Sequence, residues 1–186
     1  MKRLFDLIVI LVLATIFAVP MLLISLIIRL TSKGSYLYWS TRIGQNNKPF
    51  SMPKFRTMKI NTPVLATDRL EDPKSFYTPF GRFLRKSSLD ELPQIWVILK
   101  GDMTLVGPRP ALFNQKELID LRTTKGIHKL KPGLTGWAQV NGRDKISIKR
   151  KVDLDSEYLS SQSFNFDLYI LFLTFLKMIK GEGIDH

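Results

Sequence analysis

The sequence predicts a mainly α-helical protein with a small β component, in which an N-terminal membrane helix (residues 1–33) precedes one compact domain (residues 34–186). An uncharged stretch of 22 residues near the N-terminus predicts the membrane helix. Apolar residues at helical spacing on both sides of position 90, and again near the C-terminus, predict helices in the compact part. A chain of 186 residues with 45% apolar composition can bury one ordinary core, which excludes two independent catalytic domains.

The composition limits the kind of chemistry. The chain has no cysteine, which excludes disulfides, thiol nucleophiles and thiolate metal sites. Its two histidines, His128 and His186, cannot form an all-histidine metal site. Any metal would therefore be held mainly by oxygen ligands, which favours a hard ion such as Mg²⁺. The net charge of +12 implies a polyanionic partner: nucleic acid, anionic lipid or a phosphorylated substrate.

The uncharged stretch runs from residue 7 to residue 28. As an α-helix it would be about 33 Å long, which is enough to cross a bilayer core of about 30 Å. Pro20 removes one backbone donor and is expected to kink or break the helix. Cations flank the stretch on both sides, and the positive-inside rule draws both flanks to the cytoplasmic face. These features leave a re-entrant hairpin and a kinked crossing helix equally open. The flanking cations are Lys2, Arg3, Arg29 and Lys33.

The middle of the chain predicts short elements. Residues 36–39 and 50–58 resemble strands separated by a turn at 45–48, although the pattern does not establish that they pair. Residues 60–78 are polar and contain proline, which predicts a mobile loop. Residues 80–99 are predicted to form helices on both sides of Asp90.

The second half alternates loops and helices. Residues 101–111 and 131–143 are rich in glycine and proline, which predicts turn-rich loops rather than regular elements. Residues 146–161 resemble an exposed, charged helix. Residues 164–179 are almost wholly apolar and would be about 24 Å long as a helix. That length is short for a membrane span and suits a helix that lies in the membrane interface or packs on the N-terminal segment.

Asp90 and Glu91 are the candidate catalytic acids. Ser88 followed by Glu91 matches a capping box, which would place Asp90 in the first turn of a helix and keep its carboxylate ionised. An ionised carboxylate in that position can act as a nucleophile or a metal ligand. The alternative is that the two acids only favour helix initiation.

Seven cations lie beside turns or helix starts instead of on a repeating solvent face. Arginines in such places can bind phosphate in a bidentate manner. Two carboxylates among them suggest a divalent cation that bridges acid and phosphate. Taken singly, each cation can equally be a solvated surface residue. The seven are Lys54, Arg56, Arg82, Arg85, Lys86, Arg109 and Arg143.

Five motifs, in this order, resemble the signature motifs of the bacterial sugar transferases, also called monotopic phosphoglycosyl transferases. The resemblance covers nearly the whole chain and is closest to the small members of the family. The motifs are Lys54-Phe55-Arg56-Thr57-Met58, Ser88-Leu89-Asp90-Glu91-Leu92-Pro93-Gln94, Lys100-Gly101-Asp102-Met103, Val106-Gly107-Pro108-Arg109-Pro110 and Lys131-Pro132-Gly133-Leu134-Thr135-Gly136-Trp137-Ala138-Gln139-Val140-Asn141-Gly142-Arg143.

The resemblance implies an N-terminal re-entrant membrane helix hairpin broken at Pro20. It also implies a compact catalytic domain with interfacial amphipathic helices on the cytoplasmic face of the bacterial inner membrane. The implied reaction has two steps. The aspartate matching Asp90 attacks the sugar-proximal phosphate of a uridine diphosphate (UDP) sugar and releases uridine monophosphate (UMP). The covalent phosphosugar then passes to polyprenyl (undecaprenyl) phosphate.

The resemblance also implies roles for individual residues. Glu91, beside Asp90, matches the acidic position associated with Mg²⁺. The expected substrate contacts are Lys54, Arg56, Arg85, Arg109, Gln139, Arg143 and Asp155. Three departures from the family pattern, which blur the expected sugar preference, are Val19, Ser40 and Pro53 in place of the usual serine, glutamine and tyrosine.

Two other functions fit parts of the sequence. A nucleic-acid-binding protein would use the positive charge and stacking residues such as Trp39, Phe55 and Trp137, but it would not need the uncharged stretch. We therefore expect no nucleic acid partner. A membrane-anchored scaffold would use the cations to bind anionic lipids, at about 1 kcal/mol per residue. The sequence indicates no particular sugar and no particular oligomeric state.

Overall fold

The computed structural model describes residues 1–63, 72–142 and 145–180. The described residues are mostly helical with two small sheets, which confirms the predicted mainly α architecture. The α-helices are α1 (Lys2–Thr31), α2 (Gly81–Lys86), α3 (Ile95–Lys100), α4 (Lys116–Thr124), α5 (Trp137–Val140), α6 (Ile148–Ser161) and α7 (Phe164–Lys180). The strands are β1 (Leu37–Ile43), β2 (Pro49–Phe55), β3 (Thr104–Val106), β4 (Ala111–Leu112) and β5 (Gly133–Thr135). Short 3₁₀ helices form at Gln45–Asn47, Pro73–Phe76, Leu89–Gln94 and Ile127–Lys129.

Helix α1 is long and apolar enough to cross a membrane. Its 30 residues correspond to about 45 Å at 1.5 Å per residue. The α-helix continues through Pro20 without a full interruption, and the kink expected at the proline stays a prediction. A proline removes only one intrahelical hydrogen bond, and the rest of the backbone ladder can persist around it.

Both ends of α1 pack against the rest of the protein. Near its start, Ile10 is fully buried in the main core, which also contains Ile98. Near its end, Ile28 is buried in a second cluster with Phe55 and Leu84. Most large apolar side chains between these two contacts are exposed. The helix therefore contacts the compact domain twice and leaves its middle uncovered.

A buried polar network fixes the start of α1. The Lys2 ammonium forms an ion pair with Asp167 on α7 and donates to the Val106 carbonyl at 2.9 Å. The Tyr158 hydroxyl donates to Asp167 Oδ1 at 2.6 Å, and its oxygen lies 3.2 Å from the same carbonyl. Burial raises the pKa of Tyr158, so this hydroxyl stays protonated as a donor. The network joins α1, α6 and α7 to the end of β3.

The two predicted strand segments pair as an antiparallel hairpin. Strands β1 and β2 are in register along their full length, and β4 adds to the other edge of β1. The turn between them contains Asn46 and Asn47 with φ of 55° and 59°. Asparagine tolerates this left-handed conformation better than most residues, which explains the turn at this sequence.

The two regions predicted to be turn-rich loops each contain a strand, so that part of the prediction is wrong. Strand β3 pairs in parallel with β5. A strand of three residues gives no measurable alternation of apolar and polar positions, and here glycine and proline surround both strands. The glycines permit close backbone packing: a Cβ on Gly133 would lie 2.1 Å from the Gly107 nitrogen.

The charged helix predicted near residue 150 is α6, and one of its faces is buried. Val152, Leu154 and Tyr158 lie on this face, which contradicts the prediction of a wholly exposed helix. The charges obscured the apolar side of the helix in the sequence. Ser147 caps the helix by accepting a hydrogen bond from the Arg150 amide.

The predicted apolar C-terminal helix is confirmed as α7. Of the two arrangements predicted for it, packing on the N-terminal segment is observed. The rings of Phe5 and Phe164 meet edge to face with centroids 5.1 Å apart. The outer face of α7 carries large exposed apolar side chains. They are Phe164, Leu168, Tyr169, Phe172, Phe175, Met178 and Ile179.

The predicted loop at residues 60–78 lies partly outside the described residues. Residues 72–78 contain the 3₁₀ helix at Pro73–Phe76, and Tyr77 forms an isolated antiparallel bridge with Met58.

The close packing of β3 and β5 leads to a testable prediction. Gly133→Ala should destabilise the protein by about 3 kcal/mol, because the added methyl group overlaps the Gly107 backbone. Gly126→Ala is the matched control, since nothing lies within 4 Å of its added carbon and only its φ of +75° is unfavourable. We expect the control to lose about 1 kcal/mol. Thermal unfolding in detergent would measure both variants, and equal losses would contradict the packing.

Candidate active site

Asp90 lies on the 3₁₀ helix Leu89–Gln94, between α2 and α3. The helices predicted on both sides of Asp90 are therefore confirmed. The predicted capping box is wrong. Ser88 adopts a left-handed conformation with φ of 56°, and its side chain makes no capping hydrogen bond to the described residues. The Glu91 amide instead donates to the Ser88 backbone carbonyl at 3.1 Å.

The Asp90 carboxylate is held by nearby cations rather than by a helix dipole. Only 5% of the residue is exposed, and burial raises the pKa of its carboxyl group. The positive charges of Lys54, Arg85 and Arg109 oppose this effect, while the neighbouring Glu91 adds to it. A short 3₁₀ helix has little dipole to contribute. Three cationic side chains, and not a helix dipole, therefore oppose the rise in the Asp90 pKa that burial causes.

Glu91 shares one oxygen between two cations. Its Oε1 accepts from the Lys54 ammonium at 2.7 Å and from the Arg109 guanidinium at 2.9 Å. The same ammonium lies 3.9 Å from Asp90 Oδ2. Burial lowers the pKa of Lys54, and the two carboxylates counteract this shift. We call Lys54, Asp90, Glu91 and Arg109 the charged cluster.

Four separate elements supply the cations around the two acids. Lys54 comes from the end of β2, which packs along the 3₁₀ helix. Arg109 comes from the loop between β3 and β4, and Arg85 from the last turn of α2. Arg42 on β1 adds positive charge near Lys54 and donates to the Pro110 carbonyl at 3.2 Å.

A buried ion pair supports the backbone of Arg109. Arg122 on α4 donates to Asp155 Oδ2 through two nitrogens, at 2.9 and 2.6 Å. Its third nitrogen donates to the Arg109 carbonyl at 2.7 Å. Burial raises the pKa of Asp155, and Arg122 lowers it. The role of Asp155 as a substrate contact stays a prediction; in the structure its carboxylate is buried and pairs with Arg122, which holds the Arg109 carbonyl.

Two further predicted site residues, Arg56 and Gln139, lie in the described part of the chain. Arg56 donates to the Ser35 carbonyl at 2.7 Å and lies over the Tyr38 ring. Gln139 lies on α5, and its buried amide has no hydrogen-bond partner among the described residues. Arg143 lies outside the described residues. Arg122 was not predicted from the sequence, because a helical arginine whose partner is 33 positions away leaves no local pattern.

The two acids fit a metal ion that also binds substrate. The described part of the chain contains no metal-binding group made of three or more histidine, cysteine, aspartate or glutamate side chains. Magnesium commonly takes one or two carboxylates and completes its octahedron with phosphate and water oxygens. Asp90 and Glu91 therefore suit an ion that arrives with a phosphorylated ligand.

Comparison with known proteins gives a family match over nearly the whole chain. The family model described as "Bacterial sugar transferase" matches residues 1–181. The chain belongs to the bacterial sugar transferase family. The resemblance inferred from the five motifs is thereby confirmed.

Relatives within the bacterial sugar transferase family differ in length. EpsL of Bacillus subtilis, an uncharacterized sugar transferase, is 41% identical over 99% of this chain and 90% of its own length. The exopolysaccharide production protein ExoY of Rhizobium meliloti is 37% identical over 98% of this chain and 87% of its own. The UDP-glucose:undecaprenyl-phosphate glucose-1-phosphate transferase of Escherichia coli is 37% identical over 95% of this chain. This chain spans only 40% of the E. coli protein.

The Arg122–Asp155 pair leads to a second prediction. Arg122→Met should destabilise the protein by about 3–5 kcal/mol, because it leaves a buried carboxylate without its counter-charge. The loss should be larger at pH 8 than at pH 5. Burial raises the pKa of the Asp155 carboxyl group, and removing Arg122 takes away the charge that lowers it. Because this pKa is then higher in the folded than in the unfolded chain, the free energy of unfolding falls as the pH rises from the unfolded pKa through the folded pKa.

The double variant Arg122→Met/Asp155→Leu is the control for this prediction. Removing both charges should recover much of the stability, since no uncompensated ion remains. Urea unfolding at both pH values would measure the free energies. A double variant as unstable as the single one would show that the loss comes from packing and not from charge.

Proposed function

We propose that the protein transfers a sugar 1-phosphate from a UDP-sugar to undecaprenyl phosphate and releases UMP, as a membrane step of bacterial glycan assembly. The observation that carries this proposal is the buried Asp90 beside Glu91, surrounded by Lys54, Arg85 and Arg109. Relatives support it, since their names describe undecaprenyl-phosphate sugar phosphotransferases and exopolysaccharide production proteins.

In the first step, an Asp90 carboxylate oxygen attacks the sugar-proximal phosphorus of the donor. A bond forms between this oxygen and phosphorus, and the bond from phosphorus to the bridging oxygen breaks. UMP leaves with the bridging oxygen and its electron pair. Lys54, Arg85 and Arg109 offset the negative charge on the reacting phosphates, which is the main requirement of phosphoryl transfer.

In the second step, a phosphate oxygen of the lipid acceptor attacks the same phosphorus. The bond between Asp90 and phosphorus breaks, and the carboxylate is regenerated. The burial of Asp90 suits a covalent intermediate, because water that reached an acyl phosphate would hydrolyse it. Asp90 and Glu91 would hold Mg²⁺, which when bound neutralises diphosphate charge.

The contacts of α1 support a re-entrant arrangement in the membrane. Ile10 near its start and Ile28 near its end both pack on the same compact domain. A helix that crossed the bilayer could not place both ends against a domain on one side. With cations on both flanks, the positive-inside rule assigns that side to the cytoplasm. Arg29 in the last turn of α1 and Lys33 just beyond it would then bind anionic lipid headgroups.

Asp90→Asn tests the reaction. UMP release from a panel of UDP-sugars, with Mg²⁺ and undecaprenyl phosphate, should fall by at least about 10³-fold, because the amide is a much poorer nucleophile. Mass spectrometry of the unmodified protein, quenched with donor alone, should find a phosphosugar on residue 90. Asp153→Asn is the matched control, since Asp153 pairs with Lys125 on the surface. Normal turnover without an adduct at residue 90 would refute the covalent route.

The membrane arrangement can be tested because the chain has no cysteine. Leu4→Cys and Lys33→Cys introduce one thiol at an exposed position at each end of α1. A membrane-impermeant maleimide should label both thiols in inverted inner-membrane vesicles and neither in spheroplasts. Labelling of the two thiols from opposite sides would indicate a crossing helix.

A further inference from the structure

The Lys54 ammonium occupies the position between the two acids. It lies 2.7 Å from Glu91 Oε1 and 3.9 Å from Asp90 Oδ2, and its side chain is only 14% exposed. A divalent ion held by both carboxylates would need the same space. An ammonium ion and a metal ion would repel each other there, so the two cannot be bound between the acids together.

The charged cluster itself is balanced without a metal, since two carboxylates, Asp90 and Glu91, face two cations, Lys54 and Arg109. Arg85 and Arg42 add further positive charge nearby. A divalent ion added alone would therefore leave at least two positive charges in excess in a largely buried site. A divalent ion that enters with a nucleoside diphosphate brings a comparable negative charge, so the balance is restored.

We propose that Lys54 takes the place of the divalent cation between Asp90 and Glu91 when the site is metal-free. When the metal and the donor bind together, Lys54 moves from the carboxylates to the donor phosphates. This inference rests on the proposed function. It makes Lys54 both a substitute for the metal and a phosphate ligand, and not a permanent partner of Glu91.

The side chains allow this exchange. Lysine is a compact charge on a flexible four-carbon chain, which can turn by several ångströms without moving β2. Arg109 also contacts Glu91 Oε1, but its backbone is fixed by Arg122 and its guanidinium is broader. Lys54 is therefore the cation of the cluster best suited to move.

The exchange predicts that metal and nucleotide bind cooperatively. The metal alone must displace Lys54 against charge repulsion, so it should bind weakly. The diphosphate gives the displaced ammonium a new partner and so should strengthen metal binding, and the metal should strengthen nucleotide binding by the same factor.

Manganese titration of the full chain in detergent tests the inference, with the free ion followed by electron paramagnetic resonance. UDP serves as the diphosphate probe, since it has no sugar phosphate to transfer. In the native protein, UDP should tighten Mn²⁺ binding by at least about tenfold. Lys54→Met should bind Mn²⁺ without UDP about tenfold more tightly than the native protein, because the competing charge is gone. The effect of UDP should be smaller in this variant.

Lys100→Met is the matched control, since Lys100 pairs with Asp102 on the surface and should leave both affinities unchanged. Equal Mn²⁺ affinity in the native protein and Lys54→Met would overturn the inference, as would an affinity that UDP does not change.

A second measurement needs no variant. In the native protein, saturating Mn²⁺ without UDP should increase acetylation of Lys54, read by mass spectrometry, because the ammonium has left its carboxylate partners. Unchanged acetylation would overturn the inference. UMP release tests the proposed function separately. If the protein releases UMP from the donor but Lys54→Met leaves the Mn²⁺ affinity unchanged, the exchange is refuted and the proposed function is not.

Discussion

Two adjacent carboxylates can be buried in this fold only because cations from distant parts of the chain surround them. Isolated charges are costly to remove from water, and an acid pair adds mutual repulsion. Lys54, Arg85 and Arg109 come from a strand, a helix and a loop, and each reaches the acids only when its own element is in place. The small sheets supply buried core residues such as Met52 and Leu105, and they also set the positions of Lys54 and Arg109.

The loop that carries Arg109 is the part of the site most dependent on the rest of the molecule. The backbone of Gly107 packs against β5, Arg122 binds the Arg109 carbonyl, and Lys2 binds the Val106 carbonyl. These contacts come from a strand, from α4 and from the membrane helix. A change in any of the three would reach Arg109 through a path of only a few residues.

Local patterns in the sequence predicted the elements that depend on local physics. Uniform apolarity identified α1 and α7, and the motif around Asp90 identified the acids. Strands β3 and β5 were missed, because three residues carry no periodicity and their pairing depends on distant glycines. The pairing of Asp155 with Arg122 was missed for a similar reason, because the two residues are adjacent only in the folded chain. Ser88 followed the capping pattern, yet its left-handed backbone prevents capping.

The double contact of α1 has a consequence for preparing the protein. Ile10 and Ile28 fill space in the same hydrophobic clusters as Ile98 and Phe55. Deleting α1 to obtain a smaller fragment would uncover these clusters and also remove Lys2 from its buried partners. Such a fragment would expose apolar core surface and aggregate, so biochemical work needs the chain with α1 in place and detergent or a lipid disc to cover its apolar middle.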